Sequence, residues 1–596
     1  MMSPTENEST ASKDANRGFI GTIEPCIVTG QGGKEVWNCE TYSFFDNVRP
    51  PTVNEKLWNH SKLTALHGLF EVLPGIYQVR GLDISNMTIL EGQSGVVVVD
   101  PLTSNECAAA ALSLYQTHRG KRPVVGIIYS HSHIDHFGGA VGILPKDREI
   151  PIIAPSGFVE ESMSENVMAG PAMMRRAAFM YGTPLPPGHA GRVGVGIGVG
   201  VSTGTSSLVP PTKLIEETGQ LVEVDGIKLV FQMVPGTEAP AEINFYMPEQ
   251  KALYISECAT QSLHNIITLR GAVVRDAKAW SGYLDETIDL YGRQSEVLFA
   301  GHTWPTWGNA NLLRHISEQR DLYAYLHDQT LRLMNLGLNG TEIAEQLRLP
   351  PQLRDAPHAQ GFYGSVSHNV KGIYQRYMTW FDGNPAHLWA HPPAEEGRRY
   401  IECFGGAQEL IKKAQHYADA GDLRFAASLL DHVVKAEPDN KAAKLALASV
   451  YGHLGFGAEN ATWRNFYLTG AAQLRSAGTD ETTIVPDFPA LNPLGTVDQW
   501  LDCLSIRLDG YKAAPEAMVI DIKDPARGAA WRVRLSNGAL THRHIDQSTD
   551  VKASDLVLTL KKEELLAVLN GDFALAQTKA AGECEPLRKL LTLCGM

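Results

Sequence analysis

The first sustained apolar pattern begins near residue 70. Phe70-Glu71-Val72-Leu73 and Ile76-Tyr77-Gln78-Val79 flank Pro74-Gly75, and Met87-Thr88-Ile89-Leu90 follows, so strands separated by turn breaks are expected. Gly95-Val96-Val97-Val98-Val99-Asp100-Pro101 has no polar position before its aspartate, the mark of a strand buried on both faces. Cys107–Tyr115 is Ala/Leu-rich and reads as a helix, and Val124–Tyr129 as the next strand. Strand, helix and strand in this order predict the opening of an α/β fold of the αβ/βα sandwich type. Strands resume over Leu221–Phe245, Ala252–Ser256 and Val297–Gly301, so a second half should close near residue 310.

Residues 160–215 interrupt this pattern as an insertion carrying Arg175-Arg176, a proline-rich step at 184–187 and Gly194-Val195-Gly196-Ile197-Gly198-Val199-Gly200. The glycine alternation lacks the Lys-Ser/Thr ending of a phosphate loop, so a flexible lid or a close-packed extended segment is expected. Beyond 310 the texture turns helical. Ile316–Leu336 and Thr341–Leu347 are amphipathic, and Gly406–Ser476 alternates Ala/Leu-rich helices with breaks such as Ala420-Gly421-Asp422. Ala414–Tyr451 looks like a tetratricopeptide-type helical hairpin. After Pro486-Asp487-Phe488-Pro489, period-two alternation around Asn537-Gly538 signals a hairpin. With helices expected at Lys561–Leu569 and Ala574–Lys579, this end resembles sterol-carrier-type lipid-binding domains, small and α+β. Four regions are therefore expected: an irregular arm over 1–60, an α/β catalytic domain over 61–314, an all-α domain over 315–480 supplying a dimer surface, and a small closing domain over 487–596.

Composition narrows the partners. With 52 basic against 66 acidic residues the net charge is −14, which repels polyanions, so no nucleic acid is expected and an anionic substrate needs a local arginine cluster. No apolar run approaches the about 20 residues that cross a bilayer. The start Met1–Ser9 has neither the basic end nor the apolar core of a secretory signal. The eight cysteines are scattered without a C-x-x-C pair, so a reduced, cytoplasmic protein is expected.

The densest chemistry stands at the end of the strand Val124–Tyr129. Ser130-His131-Ser132-His133-Ile134-Asp135-His136 places three imidazoles and a carboxylate within six positions, followed by Phe137-Gly138-Gly139. Such a cluster is costly to bury unless it holds metal, and neutral histidines with an ionised aspartate suit Zn²⁺. A loop leaving a strand can aim alternate side chains at one ion and the next pair at a second.

This segment resembles the signature of the metallo-β-lactamase superfamily. Val234-Pro235-Gly236-Thr237-Glu238 stands where β-lactamases and glyoxalase II-type thioesterases carry Pro-Gly-His-Thr. Glu257, in Ile255-Ser256-Glu257-Cys258, falls on their bridging aspartate, and Ala300-Gly301-His302-Thr303 on their last histidine. Glutamates at 238 and 257, with Thr237-Glu238-Ala239-Pro240-Ala241-Glu242 intact, are similar to the alkyl sulfatases of that superfamily, a likeness running from about residue 60 to 480. The resemblance implies a homodimer with two Zn²⁺ per chain. It assigns His131, His133 and Glu238 to one ion, Asp135, His136 and His302 to the other, and Glu257 as the bridge; Glu242 could exchange roles with Glu238.

The same resemblance makes Asn265, Arg270 and Arg275 an anion cradle, since guanidinium forks match sulfate oxygens and an amide adds a neutral donor. Gly361–Asn369 resembles a segment that reaches the active site in these enzymes, so Tyr363 and His368 are expected at the sulfate end or its leaving oxygen, while Phe179, Met180, Tyr181 and Trp304 could line an alkyl channel. The implied activity is hydrolysis of primary or secondary alkyl sulfates, dodecyl sulfate-like, to alcohol and inorganic sulfate by a metal-activated water, with cleavage at carbon or at sulfur left open. Two other readings compete: a thioester or lactam hydrolase on the same fold, which would want histidine at 238 and no arginines, and a dimeric lipid-handling scaffold with a vestigial metal site.

Overall fold

The apolar runs of the first half form two sheets that face each other. The first has eight strands in the order Phe19–Gly21, Gly68–Leu73, Ile76–Arg80, Met87–Glu91, Val96–Val99, Val124–Ile128, Ile152–Pro155 and Lys213–Ile215. The second has six: Leu221–Val224, Ile227–Met233, Ile243–Met247, Ala252–Tyr254, Val297–Phe299 and Thr306–Trp307. This computed structural model describes residues 4–164, 168–476, 495–548 and 554–596. The chain divides into two compact units, Met1–Glu161 with Met173–Thr483 and Ser162–Ala172 with Ile484–Met596. The expected break at Pro486–Pro489, with the boundaries 480 and 487, lies outside the described residues. No described helix is long and apolar enough to cross a membrane.

Both sheets are mixed, and their parallel pairs position the site. Val99 pairs with Ile128 in the first sheet and Tyr254 with Phe299 in the second. Parallel neighbours end at the same edge of a sheet. Asp100 and the histidine loop therefore leave one edge together, and Glu257 and His302 leave the other. Between the sheets, Val97, Val99, Ile128 and Ile153 meet Leu229, Phe231, Phe245 and Phe299 in a shared core. Outside the first sheet lies helix Asn105–Arg119, which Ser104 caps and whose Ala108, Ala111 and Tyr115 are buried. Outside the second lie Ala277–Leu290 and Asn309–Asn335, through Trp280, Leu284, Leu312, Ile316 and Tyr323. The order is the αβ/βα sandwich that the sequence predicts.

Two expectations change. The arm is not irregular: it contains helix Glu55–Thr64, capped by Asn54, and strand Phe19–Gly21, which pairs with Gly68–Leu73 as the edge of the first sheet. A strand of three residues and a ten-residue helix of mixed polar and apolar positions offer no sustained apolar run, which hid both. Helix Asn309–Asn335 spans the boundary expected at 314 and 315, and it shares a core with Leu253 and Leu298 of the second sheet, so it completes the sandwich. Its amphipathic stripe says only that one face is covered, not by what.

The glycine-rich insertion is close-packed rather than a lid. Val193, Val195, Ile197 and Val199 are buried, and a Cβ at Gly196 (φ 98°) would stand 2.5 Å from the Phe362 carbonyl oxygen. Downstream, helices Pro393–Cys403, Ala407–Asp419, Leu423–Ala436, Lys441–Gly457 and Ala461–Arg475 pack in series. Buried Arg464 of the last one donates to the carbonyls of Thr52 (2.7 Å), His189 (2.8 Å) and Gly191 (3.0 Å), fastening arm and insertion alike.

In the second unit, the described strands form a five-stranded sheet in the order Ala539–His544, Ala529–Ser536, Met518–Asp524, Leu556–Thr559 and Ala580–Ala581. Asn537 (φ 51°) and Gly538 (φ 74°) make the left-handed hairpin turn that the dipeptide predicts. Helices Val497–Arg507, Lys562–Leu569, Phe573–Lys579 and Glu585–Leu593 cover it, through Trp500, Leu504, Leu565 and Leu591 among others.

Candidate metal centre

The site grows from buried Asp100. Its Oδ1 accepts the Ser130 N–H at 2.8 Å, and its Oδ2 accepts from Ser130 Oγ (2.7 Å), Tyr254 Oη (2.5 Å) and His136 Nδ1 (2.8 Å). Asp100 (φ 55°), Ser256 (φ 49°) and Thr303 (φ 61°) all hold left-handed backbone next to the histidine loop, Glu257 and His302. Each such residue costs about 1–3 kcal/mol, strain that persists where the surroundings over-determine it. Glycine serves the opposite need at 301, where a Cβ would lie 2.7 Å from His136 Cε1.

Two ligand groups result. His131, His133 and Glu238 present donor atoms within 4.8 Å of one another, as do Asp135, His136, Glu257 and His302. His131 Nε2 and His133 Nδ1 face Glu238 Oε2 at 3.3 and 2.7 Å. His136 Nε2 lies 3.2 Å from His302 Nε2, 3.1 Å from Glu257 Oε1 and 3.2 Å from Asp135 Oδ2, and His302 Nε2 also touches Glu257 Oε1. The seven residues expected as ligands thus converge.

The other ring nitrogens test whether these residues suit a cation. His136 Nδ1 donates to Asp100, His302 Nδ1 donates to the Ile84 carbonyl at 2.9 Å, and His131 Nδ1 donates to Ser130 Oγ at 2.9 Å, whose own proton goes to Asp100. Each Nδ1 proton leaves a lone pair on Nε2. Lone pairs of His136 and His302 would then oppose each other among carboxylates, with His131 Nε2 buried, facing Glu238 and lacking a hydrogen bond among the described residues. The pull for positive charge is large. Burial drives the His136 imidazole down, yet Asp135 and Asp100 hold it well above its ordinary range; His302 is lifted to about 9 by Glu257 against the same burial. Metal ions satisfy such a set without protons, and the N/O donors suit zinc.

Three residues shape this cluster from outside. Glu242 accepts from Thr237 Oγ1 (2.6 Å) and from the N–H groups of Glu238 (2.9 Å) and Ala239 (3.1 Å), so its carboxylate organises the loop that presents Glu238. His264 faces Glu257 Oε2 at 3.0 Å and Glu238 Oε1 at 3.6 Å, a contact that the sequence offered only as a histidine seven positions after Glu257. Asp100 was visible only as the acid ending an apolar strand.

The expected cradle separates. Arg275 is buried and committed: Nε donates to the Glu238 carbonyl (2.5 Å), Nη1 to the Asn265 carbonyl (2.9 Å) and to Asn265 Oδ1, and Nη2 to Glu238 Oε1. It is therefore a brace for Glu238 rather than an open anion clamp, because a guanidinium this deep takes the nearest acceptors. Asn265 stays available: its Nδ2 is buried and has no hydrogen-bond partner among the described residues. Arg270 is half-buried beside Tyr181, whose hydroxyl also bonds to Tyr363. Tyr363 packs edge-on against His264 at 4.9 Å, and burial holds its phenol well above the usual range.

His368 does not fit as an acid. Its Nδ1 accepts from Trp463 Nε1 at 2.9 Å, and burial pushes its imidazole down to about 3, so it remains neutral. Of the expected channel residues, Met180 and Tyr181 join Ile84, Ile197, Leu269 and Tyr363 in one apolar cluster. Phe179 packs on Phe466 at 5.6 Å and Trp304 on His60 at 5.7 Å.

Residues 80–302 match the metallo-β-lactamase superfamily, 339–477 the alkyl sulfatase dimerisation family and 494–593 the alkyl sulfatase C-terminal family. A linear primary-alkylsulfatase from Pseudomonas sp. is 43% identical over 97% of this chain and 86% of its own length. An (R)-specific secondary-alkylsulfatase from Pseudomonas sp. is 42% identical, over 89% and 80%. The alkyl/aryl-sulfatase BDS1 of Saccharomyces cerevisiae is 39% identical, over 96% and 88%. The solved structure of Pisa1, a stereoselective inverting sec-alkylsulfatase from Pseudomonas sp., superposes with a TM-score of 0.92 at 39% identity, covering 99% of this chain and 96% of that one. Similarity of this extent, spanning sandwich, helical region and C-terminal domain, shows that the chain belongs to the alkyl sulfatases of the metallo-β-lactamase superfamily.

Proposed function

We propose that this enzyme hydrolyses alkyl sulfate monoesters, primary or secondary, to alcohol and inorganic sulfate as a cytoplasmic homodimer holding two Zn²⁺ per chain. One observation carries the reading: lone-pair donors of Asp135, His136, Glu257 and His302 converge beside His131, His133 and Glu238, next to an Asn265 Nδ2 with no partner among the described residues. Relatives named for primary and for secondary esters are almost equally similar, which supports the substrate class and leaves the ester type to experiment. Held by these residues, zinc would supply Lewis-acid stabilisation and a nucleophilic water near neutral pH.

The chain's own residues do the rest. Asn265 Nδ2 and the Arg270 fork bind sulfate oxygens and take up charge as the ester bond breaks. Tyr363 and Tyr181, hydrogen-bonded to each other, keep their phenolic protons beside that charge and can lend one to a departing oxygen. Met180, Ile197 and Leu269 wall the site with apolar surface that suits an alkyl chain and keeps bulk water away. Arg275 and His264 orient Glu238 and Glu257.

Sulfate release from dodecyl sulfate and from 2-octyl sulfate, measured with zinc content on one preparation, tests the proposal. Release of sulfate with two zinc per chain is expected. An active metal-free protein, or a zinc-loaded protein that spares both esters, overturns it. Reaction in ¹⁸O-water places the label in alcohol for cleavage at carbon and in sulfate for cleavage at sulfur.

A further inference from the structure

Away from the metal centre, a small hairpin of the arm closes on two thiols. Its strands Ile27–Thr29 and Glu35–Asn38 pair Ile27 with Asn38, which sets Cys26 opposite Cys39 one step further out. The Cys39 N–H donates to the Cys26 carbonyl at 2.9 Å. Residues so opposed have Cα atoms about 4.5–5.5 Å apart, inside the about 4.4–6.8 Å that a disulfide spans. Both side chains are buried, and their sulfurs stand 2.8 Å apart. A tetrahedral zinc with Zn–S bonds of about 2.3 Å would hold two sulfurs about 3.8 Å apart. The pair is too close for that and one short movement from a bond of about 2.05 Å.

The neighbours supply what an attacking thiolate needs. The His67 ring offers a nitrogen within 4.8 Å of both sulfurs and is anchored through Nδ1 by Thr22 Oγ1 at 2.7 Å. Glu40 Oε1 accepts the Cys26 N–H at 2.8 Å, fixing the backbone of the thiol. The hydrogen bond with Cys39 and the His67 ring bring the Cys26 thiol down to about 6 despite its burial.

We propose that Cys26 and Cys39 form a reversible disulfide, with Cys26 as the attacking thiol, Cys39 as the resolving thiol, His67 as the base and hydrogen peroxide as the oxidant. Cys26 passes its proton to His67 and its sulfur attacks one peroxide oxygen. The O–O bond breaks, Cys26 becomes a sulfenic acid, and the departing hydroxide takes the proton back as water. Cys39 sulfur then displaces the sulfenic hydroxyl, which leaves with the Cys39 proton as a second water. Two thiols and one peroxide thus give one disulfide and two waters, and a dithiol reductant reverses the change.

The bond would fasten the hairpin where it meets the sandwich. Trp37 Nε1 donates to the Gly81 carbonyl at 2.9 Å and Cys39 Sγ lies 3.4 Å from the same oxygen, three residues before Ile84, whose carbonyl holds His302. None of the candidate metal-centre ligands belongs to this hairpin, so sulfate release should be the same in both redox states to within a factor of two.

Peptide mapping of the full-length enzyme before and after peroxide tests this. A peptide cross-linked through Cys26 and Cys39, lost on treatment with dithiothreitol, is expected, and Cys39→Ser should instead stop at a Cys26 sulfenic acid trapped by dimedone. Cys26 and Cys39 both alkylated after peroxide, a different cysteine pair in the cross-link, or a zinc ion that only Cys26→Ser and Cys39→Ser lose would each overturn the proposal.

Discussion

Arg275 grips Glu238 twice, by the main-chain oxygen through Nε and by the carboxylate through Nη2. One guanidinium therefore sets both where the loop runs and where a candidate zinc ligand points. Partners of this kind are worth about 10–100-fold in metal affinity or activity. Arg275→Lys, which keeps the charge and loses the fork, should weaken zinc retention by that order in a chelator competition, with kcat falling in step. Unchanged retention would mean that Glu238 is held without it.

Asp100 fixes the ring of His136 and, through Ser130, that of His131. In Asp100→Asn the amide can donate toward His136 Nδ1, favouring the tautomer with its proton on Nε2, the wrong side for binding metal. Zinc content should drop on dialysis against chelator by a factor of about 10 or more. Thermal melts at saturating zinc separate this loss from general unfolding.

Sulfate binding should rest on Asn265 and Arg270. Removing one donor to a developing oxyanion costs about 10²–10³ in rate. Asn265→Ala and Arg270→Ala should each lower kcat/KM for dodecyl sulfate by roughly 10²-fold with zinc still bound. Arg270→Lys should recover only part, since a point charge lacks the bidentate geometry. A neutral effect at both positions would place the anion site elsewhere.

Burial pushes the His60 imidazole down to about 4, against its hydrogen bond to the Gly196 carbonyl. The unfolded chain binds this proton near pH 6.5, so stability is full above that value, falls as pH drops toward 4 and then levels. The loss by pH 5 is about 2 kcal/mol at about 1.4 kcal/mol per pKa unit. Denaturant midpoints at saturating zinc should therefore fall more between pH 7 and 5 in the wild type than in His60→Gln. Parallel pH profiles would contradict the assignment.

Trp380 (73% exposed) and Trp389 (96% exposed) lie within the segment matched to the dimerisation family. Large exposed aromatics in such a region are what a partner surface needs. Light scattering should give the mass of two chains, and Trp380→Ala with Trp389→Ala should shift it toward one.

The sandwich was legible because its strands are buried on both faces and read as unbroken apolar runs such as Val96–Val99, while the arm was not, since an edge strand like Phe19–Gly21 needs no such run. Among site residues, His131, His133, Asp135 and His136 announce themselves by spacing on one loop. His264 and Arg275 do not, because their roles arise only when Glu238 and Glu257, from separate loops, come within reach. Arg275 in a sequence is a cation; only packing reveals that its charge is spent on the Glu238 carboxylate.

His302 hangs from the second sheet while its Nδ1 proton rests on the Ile84 carbonyl, and Gly301 O accepts the Asn86 N–H at 2.6 Å, so the last histidine is steadied by the opposite half of the molecule. Neither half can assemble the centre alone. An amino-terminal fragment would carry His131, His133, Asp135 and His136 without either glutamate, and the remainder Glu238, Glu257 and His302 without the loop they face. Metal capture would therefore act as a late checkpoint of folding: ion uptake in a refolding experiment should trail secondary structure and coincide with the docking of one sheet on the other.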